Sequence, residues 1–523
     1  MKCITTCAVV LLGVLSTHAS AATDPLSKAN RLPPALEQKV AQFRASLEAN
    51  GYEVARGYWQ LWSADDCKYA LQTVGYCYGN NPTAPYALAF VPRWGNEFVD
   101  RSLHHALAAG QRDMAPNYRL GEREALVVLA EMPPPARYFG IGTNVFTRQA
   151  RLNTEDPVYK ILEEAPDLQQ IVFAASPNPE RMMLVASVGD STNHVVIDEQ
   201  SQTSWGQQRY FVITPDQDMA ARMTAALDGV PGIEANQVFT EAVAPGLVKV
   251  GYGAEADDLI TYIRYSMPND ETLGEQWRQR LPLTILRVRD TRNDIPARPY
   301  DIPAYETKTA NFDENALKAD LANLVAAVQD EWQQNGVVSD FRSLSQWVDL
   351  VGQHCLGHDG PPQPEPPITL PRGPMNCLGD SQDADYQISA SHHIDSGEVV
   401  AVVGTLGTQT GNATYTSLSV NWFPALVGVL NRDDPVLEGS AQRFQDKLSA
   451  SHTNFYVYYF ARDCTGLSPW CAEIPKTLLS PGEALKIIQR NYINPGTRRG
   501  PAPSRVLNPV SLEFDGNSRP QAQ

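Results

Sequence analysis

Apolar positions fall at helical spacing in two distant parts of the chain. Leu36, Val40, Phe43 and Leu47 mark one amphipathic helix that stops at Gly51; Leu317, Leu321, Leu324, Val325 and Val328 mark another that stops at Gly336. Glycine just past the last apolar position ends a helix, because it takes the left-handed conformation that closes the final turn. Each helix leads through an aromatic-x-x-Leu stretch, Tyr58 to Leu61 or Trp347 to Leu350, towards a loop bounded by cysteines.

The period then shortens. Leu126–Leu129 and Val399–Val403 are apolar runs, each placed after a Gly-Glu pair, Gly121-Glu122 or Gly397-Glu398. Turn residues follow, Pro133–Pro135 and Gly407–Asn412, and aromatic strands begin at Tyr138 and Tyr415. This order predicts an antiparallel hairpin in each half. Asp156-Pro157 and Asp434-Pro435 predict helix starts with Asp as N-cap and Pro at the first helical position. Thr214-Pro215 and Ser480-Pro481 predict a second pair of helices, over Met219–Leu227 and Ala484–Ile488. Strands are expected over Met182–Val188 and Phe455–Phe460, as matching elements. Residues 254–289 predict a helix around Asp258–Tyr265 and a strand over Leu281–Val288, with no counterpart later in the chain.

These landmarks recur in order. Cys77-x-Gly79 with Ala84 and Tyr86 returns as Cys377-x-Gly379 with Ala384 and Tyr386. Tyr138, Asn144 and Phe146 return as Tyr415, Asn421 and Phe423, and the run Leu152–Val158 resembles Leu430–Val436. An ordered series of this kind points to an internal duplication. The expected fold class is α+β: two tandem homologous repeats, each a mainly antiparallel β-sheet with flanking helices. The boundaries read as a signal peptide at 1–21, a first repeat at 22–289 with an insertion at 94–117, a proline-containing linker at 290–313, and a second repeat at 314–523.

Composition adds the compartment. Lys2, the apolar run Ile4–Leu15 and the small residues Ala19-Ser20-Ala21 read as a secretory leader cleaved after Ala21. That run is too short to span a bilayer, and no later stretch is long and apolar enough. A secreted or periplasmic protein is expected, with a lean towards a Gram-negative source. A formal net charge of −17 without a Lys/Arg cluster disfavours nucleic acid and anionic membranes as partners. In an oxidising compartment the six cysteines beyond the leader pair economically as Cys67–Cys77, Cys355–Cys377 and Cys464–Cys471.

Residues that both halves keep are expected to build the fold, so candidate chemistry is sought in the asymmetries. Asp380, Asp383 and Asp385 crowd the turn after Cys377, and His392, His393 and Asp395 follow. Carboxylates at this density suit Ca²⁺, and with His392 they suit Zn²⁺ or Mn²⁺; a hydrated acidic turn is the plainer reading. His393 and Asp395, with Ser191, are the catalytic candidates. The strand that ends in Gly189-Asp190-Ser191 resembles the nucleophile block of the GDSL esterases, which would make Ser191 a nucleophile. The chain lacks that superfamily's Asp-x-x-His spacing, and a turn is the reading taken. His354 and His358 have metal-like spacing in a Gly/Pro context, and His104-His105 lie in the insertion.

Two functions follow. The first choice is an exported hydrolase or lyase with a cleft between the repeats. The other is a non-enzymatic exported protein that binds a small molecule or glycan on aromatic strands such as Tyr138-Phe139 and Tyr456–Phe460. No organic cofactor is called for, a divalent metal is admitted, and a monomer is expected.

Overall fold

The computed structural model describes residues 30–62, 67, 77, 79, 81–82, 85–98, 114–149, 181–189, 191–292, 295–302, 307–333, 336–343, 379, 381–422 and 425–515. It is a mixed α+β protein, mostly sheet, with several helices and multiple sheets. The first half contains helix α1 (Pro34–Ala49) and strands β1 (Tyr52–Leu61), β2 (Ala87–Pro92), β3 (Met114–Ala115), β4 (Glu124–Glu131), β5 (Ala136–Gln149), β6 (Arg181–Ser187) and β7 (Thr192–Asn193). Helix α2 (His194–Ser201), β8 (Gln208–Thr214), α3 (Gln217–Asp228), β9 (Val238–Ala242), β10 (Asp258–Pro268), α4 (Glu271–Arg280) and β11 (Leu283–Asp290) complete it.

The second half opens with α5 (Lys318–Trp332). Strands β12 (Val337–Asp340), β13 (Arg342–Ser343), β14 (Ala384–Ile388), β15 (His392–His393) and β16 (Glu398–Thr405) follow, then α6 (Gly407–Thr410) and β17 (Tyr415–Trp422). Its remaining elements are β18 (Val427–Asp433), α7 (Asp434–Leu437), β19 (Phe455–Ala461), β20 (Cys471–Glu473), β21 (Ala484–Tyr492) and β22 (Val510–Asp515).

The ladders of the two halves correspond. The first half runs β6-β5-β10-β2-β1-β11-β4-β8-β9. Strand β1 joins two sheets, since Tyr52–Gly57 pair with β11 and Tyr58–Leu61 pair with β2. The second half has sheets β12-β22-β16-β19-β20 and β13-β14-β21-β17-β18, so β12 and β13 divide between them the pairing that β1 does alone. Every ladder on these paths is antiparallel except β8–β9 and β19–β20, and those two occupy the same place in each half.

The packing layers correspond as well. Alternate strand residues face opposite ways, so each sheet has two faces to cover. Leu36, Val40, Phe43 and Leu47 of α1, with Met219, Met223 and Leu227 of α3, cover Ala125, Val127, Leu129 and Val212. Leu321, Leu324 and Val328 of α5 cover Val399, Ala401, Val403 and Val457. The opposite faces close a core of Leu126, Val128, Phe211 and Ile285 in one half, and of Val400, Val402, Leu418 and Ile487 in the other.

Several sequence expectations are corrected here. Asp258–Tyr265 and Ala484–Ile488 are not helical: they lie in β10 and β21, the central strands that run between β2 and β5, and between β14 and β17. Both faces of these strands are covered, which removes the polar alternation that would have marked them. Strands β10 and β11 pair with their neighbours in the first half as β21 and β22 do in the second. The expected hairpins are absent too. Strand β4 pairs with β8 and β11, whereas β5 pairs with β6, β7 and β10, so Pro133–Pro135 carry the chain between facing sheets. Gly407–Asn412 do the same between β16 and β17, and include α6.

Helix caps shift by a residue or two. Asp216, not Thr214, caps α3, and Asp433, not Asp434, is the N-cap residue of α7, with Pro435 inside the first turn. Strand β19 matches β8 in its ladders, not the Met182–Val188 stretch, because β19 pairs with β16 as β8 pairs with β4. Disulfides Cys67–Cys77 and Cys464–Cys471 form as expected, with Cα separations of 5.1 and 5.7 Å. Cys355, Cys377, His354, His358, His104-His105 and the run Leu152–Val158 lie outside the described residues, as do the leader and most of the insertion. Among the described residues no helix is long and apolar enough to cross a membrane.

Candidate functional site at the junction of the two halves

The halves meet face to face through the sheets that contain β10 and β21, and contacts there come in matched pairs. Gly79 donates its backbone N–H to the Leu426 carbonyl and Gly379 donates its own to the Val185 carbonyl, both at 2.9 Å. Val185 lies two residues before Ser187, which pairs with Asn144; Leu426 lies two before Gly428, which pairs with Asn421. Both acceptors are non-glycine residues at positive φ, +45° and +51°, a conformation L-residues rarely take. Each half thus gives a glycine N–H to a positive-φ residue of the other.

Between these contacts lies a buried cluster of tyrosines and arginines. Arg264 on β10 stands opposite Gly140 of β5, two residues after Tyr138; Arg490 on β21 stands opposite Ser417 of β17, two residues after Tyr415. Tyr386 of β14 is opposite Arg490. Its hydroxyl accepts from Arg264 Nη1 at 3.0 Å, while its ring lies 5.5 Å from the Arg490 guanidinium. One tyrosine therefore bridges the two cations. Rings of Tyr138 and Tyr492 meet at 4.6 Å, and those of Tyr415 and Tyr492 at 5.1 Å.

The pairs part company in charge. Arg264 Nη2 donates to Asp383 Oδ1 at 2.9 Å, and Tyr138 donates to Asp383 Oδ2 at 2.7 Å. A Cβ placed on Gly140 would come within 3.2 Å of that carboxylate, so the bare glycine makes room for it. Burial opposes the Asp383 charge, but Arg264 and the Tyr138 hydrogen bond outweigh it and hold the carboxyl below its ordinary value. Burial likewise opposes the charge of Arg264, while Tyr138 and Asp383 raise its pKa. Arg490 is 6% exposed, donates to Ser419 Oγ, and forms no ion pair among the described residues. Tyr415, the match of Tyr138, donates instead to Asp433 at 2.5 Å.

The residues singled out from sequence do not come together. Asp383 serves Arg264, and Asp385 accepts from Ser343 Oγ at 3.2 Å. His392 is buried with Nδ1 on the Glu513 carboxylate, and its Nε2 has no partner among the described residues. His393 points the other way, exposed, with Nδ1 against the Gly482 carbonyl at 3.0 Å. Asp395 is exposed, its backbone N–H donating to the Glu398 carboxylate at 2.7 Å. Asp380 lies outside the described residues, among which no three His, Cys, Asp or Glu side chains gather as a metal set. The strand aromatics Tyr456, Tyr458, Tyr459 and Phe460 are core, not an open face for stacking.

Ser191 sits in the break between β6 and β7 of a mainly antiparallel sheet. Sequence reasoning missed its neighbour. Glu241 at the edge of the facing sheet reaches into that break and accepts the backbone N–H and the hydroxyl of Thr143, each at 2.8 Å. Thr143 Oγ1 lies 2.9 Å from Thr261 Oγ1, which lies 2.6 Å from the Tyr118 hydroxyl. Burial pushes the Glu241 carboxyl up to about 7, against the pull of its two Thr143 bonds. A separate groove of about 520 Å³ lies between α3 and the linker, where Ala220, Ala221, Thr224, Arg298 and Tyr300 line it.

No family model matches the chain, and no curated protein does. Solved structures with some similarity include an uncharacterised protein from Burkholderia cenocepacia, 10% identical, with a TM-score of 0.36 over 96% of this chain and 92% of that one. Another is the T13 particle of the virus IBDV, 8% identical, with a TM-score of 0.11 over 93% of this chain and 78% of that one. Function is therefore read from the chain's own residues.

Proposed function

We propose that this is an exported binding protein made of two tandem copies of one α+β unit, with its ligand taken at the junction of the copies. The duplication is supported by ladders that recur with the same connectivity and by the Gly79–Leu426 and Gly379–Val185 contacts. Each copy offers the other the same patch, as the subunits of a twofold dimer do. Export is supported by the leader-like Met1–Ala21 and by the two disulfides.

The observation that carries the binding reading is the junction itself. It gathers two arginines and six tyrosines, and Tyr86, Tyr262 and Tyr386 keep part of their surface open. The residues suited to hydrolysis are dispersed: His393 and Asp395 on the surface, Asp383 locked to Arg264. A thermal-shift screen of small carboxylates, phosphates and sugars, run beside an ester and glycoside panel and a metal assay, tests the reading. The expected result is stabilisation by at least one ligand class without turnover. Ligand at a hundred times its Kd would add about 2.7 kcal/mol. Turnover of an ester with no ligand-induced shift would overturn it.

One observation favours the hydrolase reading instead. Ser191 Oγ and Glu241 Oε1 both lie within 4 Å of the point a Cβ on Gly142 would occupy, which puts a hydroxyl near a carboxylate poised near neutrality. In that case Ser191→Ala abolishes ester turnover.

A further inference from the structure

We propose that Arg490 is the anchor of an oxyanion site, and that its ligand is a small carboxylate. The inference rests on the binding reading above and gives it a ligand class. A guanidinium presents five donors in a planar fork that fits a carboxylate edge, and a buried charge without a partner is costly. Arg490 is 6% exposed, and among the described residues its guanidinium donates to Ser419 Oγ alone.

The other half of the junction shows what fills such a place. Arg264 occupies the matched position, and there a carboxylate from Asp383 lies on the guanidinium, over a glycine, with the Tyr138 hydroxyl as a further donor. Around Arg490, among the described residues, no carboxylate lies on the guanidinium. Ser419 Oγ accepts from Arg490 and, at 3.0 Å, from the Asn421 amide, and donates to the Ile488 carbonyl at 3.4 Å, so it fixes one edge of the guanidinium. The Ser417 hydroxyl on the same strand is buried and leans on the Tyr415 phenol without reaching hydrogen-bond geometry. Asp433 is engaged by the Tyr415 hydroxyl and by the Asn431 amide at 2.7 Å. Tyr386, partly exposed and stacked against Arg490, connects the place with the surface.

Equilibrium dialysis of the full chain against labelled acetate, at fixed ionic strength with chloride, gives the stoichiometry. One saturable equivalent is expected in the parent protein, with phosphate and sulfate competing more weakly than formate. Arg490→Met should abolish it, and Arg490→Lys, which keeps the charge but loses the fork, should weaken it at least tenfold. Asp383→Gly, which vacates the place on Arg264, should add a second equivalent there; because that variant risks misfolding, Ser419→Ala, which removes the hydroxyl that holds Arg490 Nη1, serves beside it, with a weakening of about threefold to tenfold. Acetate binding that survives Arg490→Met unchanged overturns the Arg490 site and leaves the binding reading standing. No saturable anion in the parent protein overturns the site as well, and with ester turnover it overturns that reading too.

Discussion

Arg264 and Arg490 stand at matched places on matched strands, yet one is neutralised from across the junction and the other is not. Arg264 takes Asp383 from the opposite half, and Arg490, among the described residues, takes the hydroxyl of Ser419 on the neighbouring strand. The fold around them is nearly the same: a central strand, a tyrosine two residues before the opposing position, a second tyrosine beside it. Whatever distinguishes the two places is therefore side-chain chemistry laid on a common backbone. The two halves hold a structural ion pair in one place and, among the described residues, a cation with no carboxylate in the other.

The strongest way to break this contrast is to remove the carboxylate. Asp383→Ala leaves Arg264 buried and unpaired and should cost about 3–5 kcal/mol in denaturant unfolding. Arg490→Met removes a buried charge that has no partner to strand, and its effect should stay within about 1 kcal/mol, of either sign. Equal losses in the two variants would mean that Arg490 has a partner as strong as Asp383, and the contrast would fall.

A second contrast lies between the two cores. Thr143 pairs with Thr261 in the first half, and the matched Val420 pairs with Ile487 in the second. Glu241 intrudes only where the threonines are. Its folded pKa is raised from 4.5 to about 7, so between those values the folded protein holds a proton that the unfolded chain has lost. Stability from this group should fall as pH rises across that window, by on the order of 2–3 kcal/mol. Asp383 acts in the opposite sense. Its folded pKa is depressed below 3.8, so its contribution is complete above that value and is lost as pH falls through the folded one. Glu241→Gln should remove the neutral-side slope and leave the acid-side loss in place. A chemical-denaturation series from pH 3 to 8 reads both, and a Glu241→Gln curve that still declines between about 4.5 and 7 would assign the slope elsewhere.

The tyrosines provide a smaller test. Tyr138 donates across the junction to Asp383, and Tyr415 donates within its own half to Asp433. Phe at either position should cost about 1.5–2 kcal/mol, as hydrogen bonds to charged groups do. Only Tyr138→Phe should couple to Asp383→Asn in a double-mutant cycle; coupling of Tyr415→Phe to that change would show the two places to be one network.

Much of this was legible in the chain before any coordinates. The opening helices were plain, because their apolar stripes face a single sheet and keep the helical period. The Cys-x-Gly loops and the tyrosines that follow them were plain as landmarks, since they repeat in order. The central strands β10 and β21 were not, because they are covered on both faces: Arg264 and Arg490 lie among apolar residues that also suit a helix. The junction was hidden for the same reason. Arg264 and Asp383 are 119 positions apart, and only the packing of one half on the other makes them neighbours. Asp383 drew attention as one of a run of acids, which suggested a metal; its real partner is an arginine no local pattern could name. Glu241 gave no signal, since its role follows from a gap in a ladder far from it in sequence.

The smallest effect tests the frame on which both arginines sit. Gly79 and Gly379 have φ values of +68° and +85°, and a Cβ on either would meet nothing within 4 Å. Substitution by alanine therefore adds no clash and leaves only the left-handed backbone to oppose it, at about 1–2 kcal/mol per site. Both glycines donate to a positive-φ residue of the other half, so if the halves dock as equivalents the two costs should agree to within about 0.5 kcal/mol and add in the double variant. Agreement of the pair, alongside a large difference between Asp383→Ala and Arg490→Met, would locate the asymmetry in the charges alone. A Gly379→Ala cost well above that of Gly79→Ala would move part of it into the backbone, and the unfilled place at Arg490 would then have to be explained by how the loops dock rather than by the carboxylate it lacks.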